Sequence, residues 1–339
     1  MSDGRQTVAS GESPREGRGA RQDDVRRGYR PEGAGAGSGV FATLKRTATE
    51  FMEDNLSDWA AALTYYGLLA LFPALIAMVS LIGLVGDPKS TTSTLTEIIT
   101  SIGPQSAAET FSGPIESIAP NRSAAGFAFV SGLVVALWSA SGYVGAFMRA
   151  SNVIYETPEG RPFWKLRPLQ LAVTLAMILL LTALALALVL TGPVVEAVAD
   201  PIGLSGTAVS IWNIAKWPAM VAIFLLMVAV LYYASPNVRL RGFKWVTPGS
   251  IVAIVVWVIA SAAFALYVAN FGSYDKTYGT LGGLVALLVW FWISNLAILF
   301  GHQLNAEHER SVEIEEGQPR AEREIQLEPR DEPKEQKTA

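Results

Sequence analysis

The chain has no cysteine and only two histidines in 339 residues. Without thiols there can be no disulfide framework, no thiolate nucleophile and no Cys-x-x-Cys metal knuckle. The histidines, His302 and His308, are six apart, and no His-Glu-x-x-His or comparable cluster stands ready to hold a catalytic metal. A Walker-type phosphate loop and a Gly-x-Ser-x-Gly nucleophile elbow are missing as well. The net charge is only −4 and the basic residues are scattered, so the electrostatic footprint of a nucleic-acid binder is absent. These gaps point away from an enzyme, imply no cofactor and no metal, and leave nucleic acid out as a partner.

The most informative absence is that of Asp, Glu, Lys, Arg and His from six long stretches, about 60–86, 123–148, 169–195, 217–238, 246–274 and 277–301. Each exceeds the ~20 residues that a helix rising ~1.5 Å per residue needs to cross ~30 Å of hydrocarbon. The chain is 51% hydrophobic with a mean hydropathy of +0.33, although both ends are polar. Its apolar residues are therefore massed in the middle, which is membrane composition. The expected fold class is all-α: a polytopic membrane protein with six transmembrane helices.

Residues 1–40 carry mixed charge, end in a Gly/Ala/Ser run and hold no apolar run. They read as a disordered arm rather than a signal peptide. From Phe41 to Trp59 larger apolar residues recur at helical spacing between charges, which suggests an amphipathic helix lying on the membrane surface or packed on other segments at that surface. The membrane domain is set at 41–310, and 311–339, rich in Glu and Pro, reads as a solvated, disordered tail. All basic residues except Lys89, Arg122, Lys216 and Lys276 fall on the arm, the even connections and the tail. The positive-inside bias therefore places both termini on the cytoplasmic side. The first external connection, with Leu95, Ile98, Ile99 and Ile102 at helical spacing, is expected to form short capping helices.

No ionisable side chain lies at the centre of a span, which disfavours a carboxylate relay. The polarity there is neutral: Thr64, Tyr65, Tyr66, Ser131, Trp138, Ser139, Ser141, Tyr143, Tyr267, Asn270, Ser294 and Asn295. Such groups glue helices together or line a cavity wet enough for a headgroup. Between the last two spans, Asn270 to Gly283 is crowded with glycines, hydroxyls and aromatics, the composition of backbone leaving helical geometry at a cavity. A plain external turn flanked by belt tyrosines fits it equally. Pro73 lies mid-span and should kink the first helix beside Tyr65 and Tyr66.

Several segments together are similar to the YihY / virulence factor BrkB family of bacterial inner-membrane proteins. They are Ala60 to Tyr66 with Leu71-Phe72-Pro73, Leu137 to Ser141, Asn152 with Tyr155, and Arg161 to Lys165. Further on come Pro236-Asn237, Trp245 with Pro248-Gly249, Tyr267 to Tyr274 with Thr277 to Gly279, and Leu304-Asn305-Ala306-Glu307. The resemblance implies six spans, movement of lipids or other amphiphiles, and no settled substrate. The family's older ribonuclease label is regarded as a misassignment, so no ribonuclease activity is expected. One departure is visible at the end of the last span, where relatives tend to have Gly-Ala-Glu-Leu-Asn-Ala and this chain has Gly301-His302-Gln303-Leu304-Asn305-Ala306.

The leading expectation is a transporter or flippase-like mover of an amphiphilic solute, with membrane lipids as partners and a homo-oligomer left open. Its cavity would use Tyr65, Tyr66, Trp138, Asn270, Gly272, Tyr274, Tyr278 and Gly279, and Pro73 would let the first span move. The alternative is a non-catalytic membrane scaffold or envelope assembly factor.

Overall fold

The computed structural model describes residues 39–85, 122–189, 206–270 and 280–332. Among them lie seven helices: α1 Val40–Glu53, α2 Leu56–Val85, α3 Arg122–Ile154, α4 Phe163–Val189, α5 Gly206–Ala234, α6 Pro248–Asn270 and α7 Thr280–Glu315. Windows in the last five, Val130–Ile154, Phe163–Leu184, Val209–Ala234, Pro248–Val268 and Gly282–Glu315, are long and apolar enough to cross a membrane. Helix α2 is 30 residues long and contains the first uncharged stretch. Residues 1–38, the expected capping helices of the first connection, and the 271–279 segment lie outside the described residues.

Neighbours in the chain are neighbours in space. α2 packs on α3 and α7, α4 bridges α3 and α5, α6 packs on α7, and only a thin contact joins α5 to α6. The helices alternate in direction, so one end gathers the start of α2, the ends of α3, α5 and α7, and the starts of α4 and α6. We call this the polar end. Most of the buried core lies toward it, including Leu56, Leu63, Phe147, Ile154, Tyr155, Tyr232, Leu299 and His302.

Local chemistry explains how helices begin and stop here. Thr247 caps α6: its hydroxyl accepts from the Ser250 amide at 3.1 Å and the Ser250 hydroxyl accepts from the Thr247 amide at 2.9 Å. This is a reciprocal capping pair, and Pro248 sits at the first helical position, where its missing N–H costs nothing. Gly317 ends α7 at φ 71°, with the Gln318 amide reaching Glu313 O and the Gly317 amide reaching Ile314 O, a left-handed cap that glycine adopts without strain. The two adjoining apolar helices α6 and α7 touch backbone to backbone, since a side chain begun at Gly249 would lie 1.9 Å from Gly301 O.

Helix α1 is amphipathic in an inverted sense. Thr43, Arg46 and Thr47 are buried against α7, while Phe41 is 83% exposed and Val40, Leu44 and Met52 also face outward. Asn55, at φ 51°, makes the left-handed turn into α2, a conformation Asn tolerates better than most residues.

Two expectations need correction. The segment 316–332, read as a solvated tail, instead lies across the polar end. Arg239 N donates to Glu328 O at 2.8 Å and Arg330 N to Asn237 O at 2.9 Å, Ile325 and Leu327 pack on the core, and the strap passes so close to Gly160 that an added side chain would meet Asp331 O at 1.9 Å. Its Glu and Pro content masked spaced apolar residues that pack once the other connections provide a surface. Lys216, assigned to an outer connection, lies inside α5 and is buried, because α5 starts some three turns earlier than the uncharged run.

Candidate functional site

Several of the neutral polar groups join helices. Tyr143 Oη on α3 donates to Asn295 Oδ1 on α7 at 2.8 Å, and Asn295 Nδ2 donates to Thr64 Oγ1 on α2 at 3.2 Å. On α6 and α7, Trp257 Nε1 donates to Ser294 Oγ at 2.9 Å and Trp290 Nε1 to Ser261 Oγ at 3.2 Å. These groups satisfy one another and act as glue.

A different arrangement surrounds Trp138. Trp138, Gly142, Gly145 and Arg149 recur at four, three and four residues, so they form one strip of α3. Tyr66 of α2 meets the strip at Gly142, where a side chain would begin 3.1 Å from its ring. Tyr65 lies edge-on to Tyr66, with ring centroids 5.5 Å apart. From α4, the Arg167 guanidinium lies 4.6 Å from the Trp138 ring centroid and donates to Gln170 Oε1 at 3.1 Å and, weakly, to Ser141 Oγ at 3.4 Å. Gln170 is buried, and a side chain at Gly145 would lie 3.0 Å from its Nε2 and 3.7 Å from Arg149 Nη1. Trp138 itself is 61% exposed and Tyr65 59%.

Tyr65, Tyr66 and Trp138 are thus gathered along one side of α3. Helix α2 runs on through Pro73, whose side chain lies outside the described residues, as does that of Asn270 at the end of α6. Gly272, Tyr274, Tyr278 and Gly279 are outside them altogether. Sequence reasoning missed Arg167, because counting uncharged runs assigned it to a connection, whereas it occupies the second turn of α4. The readable signal was its place after Phe163-Trp164, four residues into a helix, with a side chain long enough to reach inward.

The polar end holds a second cluster. Arg46 Nε pairs with Glu307 Oε2 at 2.9 Å, Arg310 Nη1 with Glu307 Oε1 at 3.0 Å and with Glu50 Oε1 at 3.1 Å, and Arg310 also pairs with Glu156. Arg310 and Glu307 are 1% and 0% exposed. Charges so removed from water persist only when paired and hydrogen-bonded. Beside them, Asn152 Oδ1 accepts from the Asn237 amide at 2.8 Å, Glu159 pairs with Arg161 at 2.7 Å, and Arg161 Nη2 donates to Ser235 O at 2.9 Å beyond the end of α5. Burial works to raise the Glu159 carboxyl, but hydrogen bonds from Arg161 and Asn152 outweigh it and hold the group below its ordinary range. Asn305 Oδ1 accepts from the Gly249 amide and its Nδ2 donates to Thr247 Oγ1, both at 2.9 Å. His302 stacks on Tyr232, with centroids 4.4 Å apart, and its Nε2 lies 2.9 Å from Ser151 Oγ. Among the described residues no group of three or more His, Cys, Asp or Glu could hold a metal.

A bundle of long apolar helices with one charged, interlocked end defines a multi-pass membrane protein. The family model for virulence factor BrkB matches residues 47–325, and the chain belongs to that family. It is similar to the ribonuclease-like protein YfkH of Bacillus subtilis, 31% identical over 78% of this chain and 94% of the relative. It is also similar to UPF0761 membrane proteins of Alteromonas mediterranea, 28% identical over 74% of this chain and 81% of the relative, and of Aggregatibacter aphrophilus, 26% identical over 76% and 88%. No solved structure matches the chain.

Proposed function

We propose that this protein moves an amphiphilic, lipid-like solute across the bacterial inner membrane, without catalysis, through six spans of which α2 is the first. The observation that carries this reading is the strip of α3 at Trp138, where an indole meets a guanidinium beside two tyrosines and the Trp138 and Tyr65 side chains are exposed. Polar groups inside a membrane are expensive and are kept where they meet a polar partner. A headgroup would contact Trp138, Tyr65 and Tyr66 while its chains stay in lipid, and the thin α5–α6 contact gives the ring a seam that can part. On this reading the polar end is cytoplasmic, as the distribution of basic residues favours, and α1 lies at the surface with Phe41, Leu44 and Met52 in the lipid interface.

The test is headgroup translocation in proteoliposomes, using a panel of labelled lipids with the wild type and Trp138→Ala. Movement above empty vesicles that slows in the variant is expected. No movement of any lipid in the panel would end the transport reading and favour a scaffold.

A further inference from the structure

We infer that the α3–α4 groove binds the phosphate of an anionic lipid headgroup, with Arg167 and Arg149 as its two cations and Trp138 as its wall. This names the solute class at the site of the proposed function and rests on that reading.

The first observation is the direction taken by Arg167. An arginine near a membrane boundary ordinarily extends its charged head outward to water. Arg167 turns inward, to Trp138 and Ser141. Ser141 lies eight residues before Arg149 on α3, about 12 Å deeper at ~1.5 Å per residue. A cation is thus held well inside the level at which Arg149 marks the boundary.

The second observation is what the two cations lack. Arg46, Arg161, Arg241 and Arg310 each have at least one carboxylate within 3.3 Å. Arg167 has only an amide oxygen, a hydroxyl and an indole face, and neither Arg167 nor Arg149 has a carboxylate partner among the described residues. The nearby acids Glu159 and Asp331 are committed to Arg161 and Lys165. Among the described residues the groove therefore has two positive charges and no carboxylate counter-ion.

The third is the shape between them. Gln170 stands in the middle, its Oε1 on Arg167 and its Nε2 over Gly145 toward Arg149. Gly142 and Gly145 carry no side chains on α3, which lets the Tyr66 ring and the Gln170 amide come within 3.1 and 3.0 Å of where a Cβ would stand. The groove thus has a floor formed by the Gln170 amide, an aromatic wall and a cation on each side. A planar guanidinium presents paired N–H groups that match phosphate oxygens bidentately, and stacking on Trp138 fixes its plane beforehand. A phosphodiester headgroup satisfies both cations at once, whereas the added quaternary ammonium of a zwitterionic headgroup would be repelled by them.

The experiment uses the full chain in neutral detergent and follows Trp fluorescence and thermal stabilisation on adding short-chain phosphatidylglycerol, short-chain phosphatidylcholine or inorganic phosphate. The expected result is saturable binding of phosphatidylglycerol at least tenfold tighter than phosphatidylcholine, with inorganic phosphate having little effect. Arg167→Gln should erase that preference, Arg167→Lys should restore part of it because the charge returns without the fork, and Arg149→Gln should weaken it less. Each variant is first checked for wild-type helix content, and Trp138→Phe, which keeps an aromatic wall, provides a milder second probe that should lower affinity severalfold. Equal binding of the two lipids, an unchanged preference in Arg167→Gln, or stabilisation by inorganic phosphate equal to that by lipid would overturn the inference. Binding requires no movement, so Arg167-dependent binding without translocation removes only the transport reading. Translocation with no headgroup preference removes only this one.

Discussion

At the polar end, Arg46, Glu307 and Arg310 are nearly sealed from solvent and each is paired. Halfway along α3, Trp138 stands largely exposed and Arg167 reaches it without a carboxylate partner among the described residues. The charges of the Arg46–Glu307–Arg310 cluster are spent on each other, whereas Arg167 meets an indole, an amide and a hydroxyl. A protein that has to hold a bundle together while leaving part of it open to a solute would divide its polar groups in this way, locking one end so that rearrangement is confined to the rest. The family resemblance fits the same division. Asn152, Arg161, Asn237, Gly249, Asn305 and Glu307, all in the matching segments, turn out to be parts of the interlocked polar end, whereas Tyr65, Tyr66 and Trp138, which lie in those segments too, are not.

The strongest way to break the comparison is to remove one member of the lock. Arg310→Met leaves Glu307, Glu50 and Glu156 facing one another without their shared cation. Losing one partner of a buried ion pair costs ~3–5 kcal/mol. Denaturant unfolding of the purified protein should show a loss of that size, and Trp138→Ala, on an exposed side chain, should lie close to wild type. If Arg310→Met unfolds like wild type, the cluster is not what holds the end together.

The helices were legible from the sequence and the lock was not, for a physical reason. Each of the six uncharged runs of more than twenty residues overlaps a long helix, and five of the described helices carry windows long and apolar enough to cross a membrane. The helices extend past those runs because helical geometry does not stop where charge begins. Counting charge therefore misplaced Arg167 and Lys216 and treated Arg310 and Glu313 as the start of a tail. Pairing between residues some 260 positions apart, such as Arg46 with Glu307, has no local signature. The strap at 316–332 depends on surfaces built by two other connections, 155–162 and 235–247, which no window of its own composition could disclose. On α3, by contrast, Trp138 was named as a candidate, whereas Gly142, Gly145 and the side chain that comes to meet them were missed.

Acid should loosen the lock more gently than mutation. Glu159 titrates below its ordinary range in the folded protein, because Arg161 and Asn152 favour its charged form. Its contribution is therefore complete above the range in which an unfolded Glu titrates, and is lost as pH falls through the lowered folded value. Melting temperatures of wild type and Glu159→Gln, measured in detergent across an acid series, should differ near neutrality and converge as the pH drops. A gap that persists in acid would mean that the Glu159 charge is not what ties Arg161 to the end of α5.

The smallest effect is expected inside the bundle, at the triad of Tyr143, Asn295 and Thr64. Tyr143→Phe removes one hydroxyl and leaves the ring in place, so only the 2.8 Å bond to Asn295 Oδ1 is lost. Hydrogen bonds between membrane helices average ~0.6 kcal/mol by double-mutant cycles, with a ceiling near ~1.7, because the separated helices find other partners. A cycle combining Tyr143→Phe with Thr64→Val should give a coupling within that range, small beside the loss at Arg310. A coupling as large as the Arg310 loss would show α2, α3 and α7 to be fastened as firmly at mid-bundle as at the end. The α4–α5 pair would then be the part left free to move, carrying Arg167 with it.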